Sequence, residues 1–124
     1  MKIEHRKINF EDARGTITDI FSKSPKDHAT VIFSKKGSIR GNHYHKVSVQ
    51  YVFVVQGELE TYSQKPGEDV SIDTLKTNDL IAHEPGEAHA FLAKEDTIFL
   101  TFVEGLRGGE DYEKDTYRLE KPLI

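Results

Sequence analysis

Arg40-Gly41-Asn42-His43-Tyr44-His45-Lys46, followed by Gln50 and answered by Pro85-Gly86-Glu87-Ala88-His89, is the part of the 124-residue sequence that decides its fold. In an extended strand alternate side chains share a face, so His43 and His45 project the same way with Cα atoms about 6–7 Å apart. Two imidazoles at that separation can converge on one metal ion or one substrate. A helix would send the two rings in different directions. Val47 to Val55, rich in β-branched and aromatic residues, supports the extended reading.

Outward from this stretch the hydrophobic period stays at two. Residues 16–21, 29–34, 50–55, 70–75 and 97–103 all read as strands. Turn signals separate them: Ser24-Pro25, Lys36-Gly37, Gln56-Gly57, Lys65-Pro66-Gly67, Asn78-Asp79, Pro85-Gly86 and Lys94-Glu95-Asp96. No segment carries an amphipathic helical stripe. The pattern predicts an all-β sandwich or barrel, one domain over residues 1–124, with an irregular polar tail from Gly105 onward. Alternation also predicts Val52 and Val54 on the Gln50 side, and Tyr51, Phe53 and Val55 on the other.

Composition narrows the chemistry. Without cysteine, disulfides, thiolate metal sites and cysteine nucleophiles are excluded, so any metal must be held by imidazole, carboxylate or amide groups. A formal net charge of −4 argues against a nucleic-acid binder. No apolar run approaches the ~18 residues of a membrane span. The charged first 20 residues are unlike a signal peptide, and a cytoplasmic location is the expectation.

The spacing of Gly41, His43, His45, Gln50 and Gly57 resembles the first motif of the cupins, and residues 79–89, ending in His89, resemble the second. The resemblance covers about residues 37–103. It implies a double-stranded β-helix, the cupin jelly-roll barrel, with the histidines pointing inward. Gln50 replaces the usual glutamate, and Ala93 stands where the second motif often has asparagine. Within the cupins, residues 12–17 and 40–46 are similar to the nucleotide-sugar 3,4-ketoisomerases and the dTDP-4-dehydrorhamnose 3,5-epimerase-like proteins. Asp115-Thr116-Tyr117 is similar to the cupin domain of capsular polysaccharide reductases. This likeness implies a nucleotide-sugar isomerase or epimerase of polysaccharide biosynthesis, working as a homodimer.

The residues suit that chemistry. Moving a keto group along a sugar ring requires removal of a proton beside the carbonyl and return of one to the neighbouring carbon. Imidazole, with a reference pKa near ~6.5, can do both. His43 is the candidate base and His45 its partner. Arg14, Arg40, Gln50 and His83 are candidate substrate-binding groups, with Arg14 and Arg40 as forks for a diphosphate. A plain surface role is the competing reading for either arginine. His43, His45, Gln50 and His89 could instead ligate a divalent ion such as zinc, nickel, iron or manganese. Both uses of the cluster stay open, and no organic cofactor is expected. The alternatives to the isomerase are a metal-dependent cupin such as an oxygenase and a non-catalytic small-ligand-binding module. His83-Glu84 through His89 has the wrong spacing for a metalloprotease helix, which Pro85-Gly86 would break anyway.

Overall fold

In the computed structural model residues 3–105 and 114–124 are described, so most of the tail expected beyond Gly105 lies outside the described residues. Alternating sequence becomes strand almost throughout: β1 Glu4–His5, β2 Phe10–Asp12, β3 Gly15–Ile17, β4 His28–Ser34, β5 Ile39–Tyr44, β6 Val49–Gln56, β7 Glu58–Gln64, β8 Ser71–Lys76, β9 Asp79–His83, β10 Ala88–Ala93, β11 Thr97–Glu104 and β12 Tyr117–Arg118. Among the described residues there is no helix, and so none long and apolar enough to cross a membrane.

Two five-stranded antiparallel sheets form, ordered β1-β9-β6-β11-β4 and β12-β5-β10-β7-β8, with β2 and β3 a separate hairpin. From β4 to β7 the chain changes sheet at each connection, and it does so again from β8 to β12. That alternation builds the expected jelly roll, because each inner face finds its cover on the opposite sheet. Val52, Val54, Leu59, Leu75, Ile81, Phe91 and Phe99 form the apolar core between the sheets, none more than 5% exposed. Full burial of side chains of this size contributes about 1.5–3 kcal/mol each.

Val52 and Val54 are buried with Gln50, as alternation requires, while Tyr51 is half-buried and Val55 exposed. Phe53, on the other face, is nevertheless only 4% exposed. It sits beside Leu80 in the register, also buried. The strand expected over residues 16–21 stops at Ile17. The continuation instead places Phe21 edge-on to Tyr51 and Phe102, both at 5.1 Å between ring centroids. Aromatic packing across the sheet outweighs local β-propensity there.

One irregularity decides what the barrel interior contains. Between β5 and β10, His43 faces His89 and Gly41 faces Ala90, so Asn42 is an extra residue in the ladder. Asn42 and Gly41 both have positive φ, 56° and 92°. The bulge sends Arg40, opposite Phe91, to the same face as His43. Strict alternation would have put residues three apart on opposite faces. Glycine is required at Gly41 for a second reason: a Cβ there would lie 2.9 Å from the backbone oxygen of His89. The motif glycine therefore lets β5 close against β10 at the level of the histidines.

Candidate functional site

His43 comes from the end of β5 and His45 from the residue just after it, His83 from the end of β9 and His89 from the start of β10. All four are buried, at 4%, 2%, 1% and 0% exposure. His43, His45 and His89 form a triangle with ring centroids 5.0, 4.8 and 5.1 Å apart. His83 stacks on the far side of His89 at 4.6 Å. Gln50, 1% exposed, reaches His45 through its amide, 3.0 Å from Nε2. Tyr44 points the other way and stacks on Tyr117 at 5.3 Å, a packing role. Lys46, alternating with His45, is exposed.

Backbone carbonyls set the proton positions. His45 Nδ1 donates to the carbonyl of Asp115 at 2.7 Å, and His89 Nδ1 donates to the carbonyl of Glu87 at 3.3 Å. A carbonyl only accepts, so the proton is fixed on Nδ1 and each Nε2 is aimed into the cluster. With that tautomer, a neutral His45 takes the NH₂ of Gln50 after a half-turn of the amide. An imidazolium donates to the amide oxygen instead. Gln50 can thus serve His45 in either protonation state. Burial, followed by repulsion from His83, His43 and His45, holds the pKa of His89 well below the usual histidine value.

Beside His43 and Gln50 a cavity of about 250 Å³ opens between β4 and β5, and Arg40, Phe91, Phe99 and Arg118 also line it. Arg40 is steadied by Ser34, whose hydroxyl accepts from Nε at 2.8 Å. Arg118 stands on β12, directly opposite His43 in the register. Larger hollows of about 390 and 760 Å³ lie beside Tyr51, and none of the four histidines lines them.

The structure thus gathers His43, His45, Gln50 and His89 as the sequence predicts, with Arg40 at the opening. Two candidates fall elsewhere. His83, a substrate-binding candidate, backs the cluster instead, with Nδ1 3.4 Å from the buried Glu87 carboxylate. Arg14 sits on the β2–β3 turn, its side chain 87% exposed and bonded to Asp12 at 2.6 Å, and among the described residues the hairpin pairs only with itself. Sequence reasoning missed Glu87, Asp115 and Arg118. Glu87 had a signal, since it precedes His89 by two and so shares its face. The other two return from the far end of the chain, and only the fold brings them here.

The residues fit a divalent ion. The donor nitrogens of His43, His45 and His89 lie within 4.8 Å of one another. Bonds of ~2.1 Å in a tetrahedral set place donors about 3.4 Å apart, so a modest inward movement suffices. Carbonyl-held Nδ1–H groups leave Nε2 of His45 and His89 as lone-pair donors, the usual outer-shell pattern of metal-binding histidine. The set is neutral, since Gln50 contributes an amide and no carboxylate.

A model of the polysaccharide biosynthesis C-terminal domain family matches residues 10–107. No curated protein sequence matches significantly. Among solved structures, dTDP-4-dehydrorhamnose 3,5-epimerase from Sulfolobus tokodaii is similar with a TM-score of 0.82 and 20% identity, over 98% of this chain and 78% of that one. A variant of the 3,4-ketoisomerase QdtA from Thermoanaerobacterium thermosaccharolyticum, in complex with TDP-4-keto-6-deoxyglucose, gives 0.79 and 19% over 95% and 86%. The capsular polysaccharide assembling protein CapF from Staphylococcus aureus gives 0.68 and 24%, over 94% of this chain but 33% of that one. At these identities the likeness carries the fold: an RmlC-like cupin jelly roll.

Proposed function

The chain belongs to the polysaccharide biosynthesis C-terminal domain family, and from that premise we propose that it is a nucleotide-sugar isomerase of the keto-isomerase or epimerase type. The observation that carries this reading is the triangle of buried imidazoles, of which His43 lines a cavity that also holds two arginines. Ligand pockets typically measure ~300–1,000 Å³. A cavity of about 250 Å³ therefore suits the sugar end of the substrate and leaves the nucleotide outside. Arg40 and Arg118 then meet the diphosphate between them, where guanidinium forks bind phosphate oxygens in pairs.

The chemistry is proton transfer beside a carbonyl. His43 takes the proton from the ring carbon next to the keto group. The C–H electron pair becomes the C=C bond of an enediol, and the carbonyl oxygen accepts a proton from His45. Loss of the neighbouring hydroxyl proton restores a carbonyl one carbon along, and the ring carbon that carried the keto group is reprotonated. His45 gives this proton from Nε2, turning it from the Gln50 amide oxygen to the carbonyl oxygen, and Gln50 accepts the N–H again once the ring is recharged. An epimerase stops at the first enediol or enol and returns the proton to the opposite face.

A second reading is favoured by the donor spacing within 4.8 Å: His43, His45, His89 and Gln50 hold a divalent ion. Such an ion would polarise the carbonyl as a Lewis acid. Arg14, remote from the cavity in one chain, belongs to this proposal only through a second copy. The β2–β3 hairpin exposes Phe10 and Ile17, directly paired across it, at 51% and 59%. An isolated two-stranded ribbon is marginal in water, which favours a homodimer that covers it. Sedimentation of a lone monomer would remove Arg14 from the site.

The deciding experiment incubates the protein with TDP-4-keto-6-deoxyglucose in deuterated buffer and follows ring hydrogens by NMR. Exchange that survives chelation supports the imidazoles as the proton carriers. Exchange that vanishes on chelation keeps the reaction class and makes His43 a ligand. No exchange with this or any other 4-keto nucleotide sugar ends the isomerase reading.

A further inference from the structure

Asp115 lies beyond the segment that matches the family model, in the C-terminal arm that crosses the outside of β5. It is only 2% exposed, an unusual place for a carboxylate. Its Oδ1 accepts the backbone N–H of Lys46 at 2.9 Å, and its Oδ2 accepts those of Val47 and Ser48 at 3.0 and 2.8 Å. Three consecutive N–H groups converging on one carboxylate make an anion nest. Its own backbone carbonyl is the acceptor for His45 Nδ1. One residue thus grips the turn after His45 with its side chain and the ring of His45 with its main chain.

The rest of the arm is fastened independently. Leu119 N–H bonds the carbonyl of Asn42 at 2.9 Å, Leu123 N–H bonds the side-chain oxygen of Asn42 at 2.8 Å, and Tyr117 pairs with Tyr44. The arm can therefore remain on β5 when the carboxylate is removed, while the carbonyl facing His45 loses its anchor.

We propose that Asp115 is a positioning residue for His45: by clamping residues 46–48 it holds its own carbonyl against Nδ1 and keeps Nε2 of His45 facing the cluster. Its effect on turnover rests on the isomerase reading above, but its effect on the ring does not. Burial alone would raise the Asp115 carboxyl, yet the N–H groups of the nest hold it below its usual value, as a working anchor requires.

The test is the tautomer of each buried histidine, read from two-bond ¹⁵N–¹H correlations in wild type, Asp115→Ala and Asp115→Asn. His89 is the internal control, because its Nδ1–H goes to Glu87 and not to the arm. In Asp115→Ala, His45 should become a mixture of tautomers while His89 keeps Nδ1–H. Asp115→Asn retains one acceptor oxygen and the side-chain shape, so it should fold and fall between the two. Turnover should drop about 10–100-fold in Asp115→Ala with KM within about threefold, a part of the ~10²–10⁴ that a general acid–base group contributes. His45 unchanged in both variants overturns the proposal. So does loss of both tautomers together, which would make Asp115 a general staple. A shifted His45 tautomer in a protein whose wild type shows no turnover leaves the positioning role standing and removes only the isomerase reading.

Discussion

Two places in this barrel take nitrogen away from water, and they do so in opposite ways. On the outer face Lys26, its side chain 7% exposed, is caged. Its ammonium meets Glu104 at 2.7 Å, the hydroxyl of Ser24, and the ring faces of Phe21 and Tyr51 at 4.4 and 4.7 Å. Tyr51 closes the network by donating to Glu104 at 3.1 Å. Inside, Nε2 of His83 and Nε2 of His89 are buried with no hydrogen-bond partner among the described residues. A buried polar atom left unpartnered costs about 1–3 kcal/mol. The cage is a finished structure. The cluster keeps donor nitrogens that no described residue satisfies, and under the function proposed above a substrate or an ion would take them up.

Paired substitutions should separate the two most sharply. His43→Asn in the cluster is expected to lower turnover by ~10²–10⁴-fold, with the melting temperature within a few degrees of wild type. Lys26→Met in the cage is expected to leave turnover unchanged and to destabilise the fold by about 1–3 kcal/mol, the range for a lost charge-assisted hydrogen bond with its cation–π contacts. Thermal melts and steady-state rates on both variants decide it. A rate loss in Lys26→Met as large as that in His43→Asn would erase the distinction.

What the sequence shows of each region differs for the same physical reason. The cluster was legible because β alternation turns a spacing of two into a shared face, which placed His43 with His45 and Val52 with Gln50. Arg40 joins His43 on the cavity side through a bulge at Asn42, and nothing in strict alternation foretells an extra residue. Arg14 was read from a likeness whose local sequence is right, yet among the described residues its hairpin pairs only with itself. Asp115 and Arg118 act on residues some 70 positions earlier, and such contacts exist only once two sheets have closed. The cage was invisible for the same reason, since Lys26, Tyr51 and Glu104 share no motif.

A smaller effect probes the charge of the site. Gln50→Glu puts a carboxylate 3.0 Å from His45 Nε2, where the amide oxygen now lies. A negative charge offsets part of a divalent ion's charge with no added volume, so zinc or nickel should bind more tightly than to wild type, by about tenfold or more. Isothermal titration of both proteins gives the answer. Tighter binding by the wild type contradicts the charge argument and leaves proton transfer by the imidazoles as the use of the cluster.

The smallest effect is in the pH dependence of stability, where the two regions occupy different windows. In chelated protein His89 has a pKa held well below the ordinary 6.5, by burial first and by the neighbouring imidazoles second. Below about pH 6.5 the unfolded chain binds a proton at this position that the folded chain refuses. Stability is therefore greatest above that value and declines as pH falls, by at most about 1.4 kcal/mol per pH unit for one proton. Glu104 is lowered from 4.5, chiefly by its hydrogen bonds from Lys26 and Tyr51. Its contribution is complete above about pH 4.5 and is lost as pH falls through the folded value. Denaturant unfolding between pH 7 and pH 3.5 should thus show two successive declines, an upper one from the cluster and a lower one that the cage shares with Asp115, whose carboxyl is also held low. His89→Gln should flatten only the upper, and Lys26→Met should shrink only the lower. If Lys26→Met flattened the upper window, the cage and the cluster would be coupled through β6, and Tyr51 and Gln50, adjacent in sequence on opposite faces, would be the route.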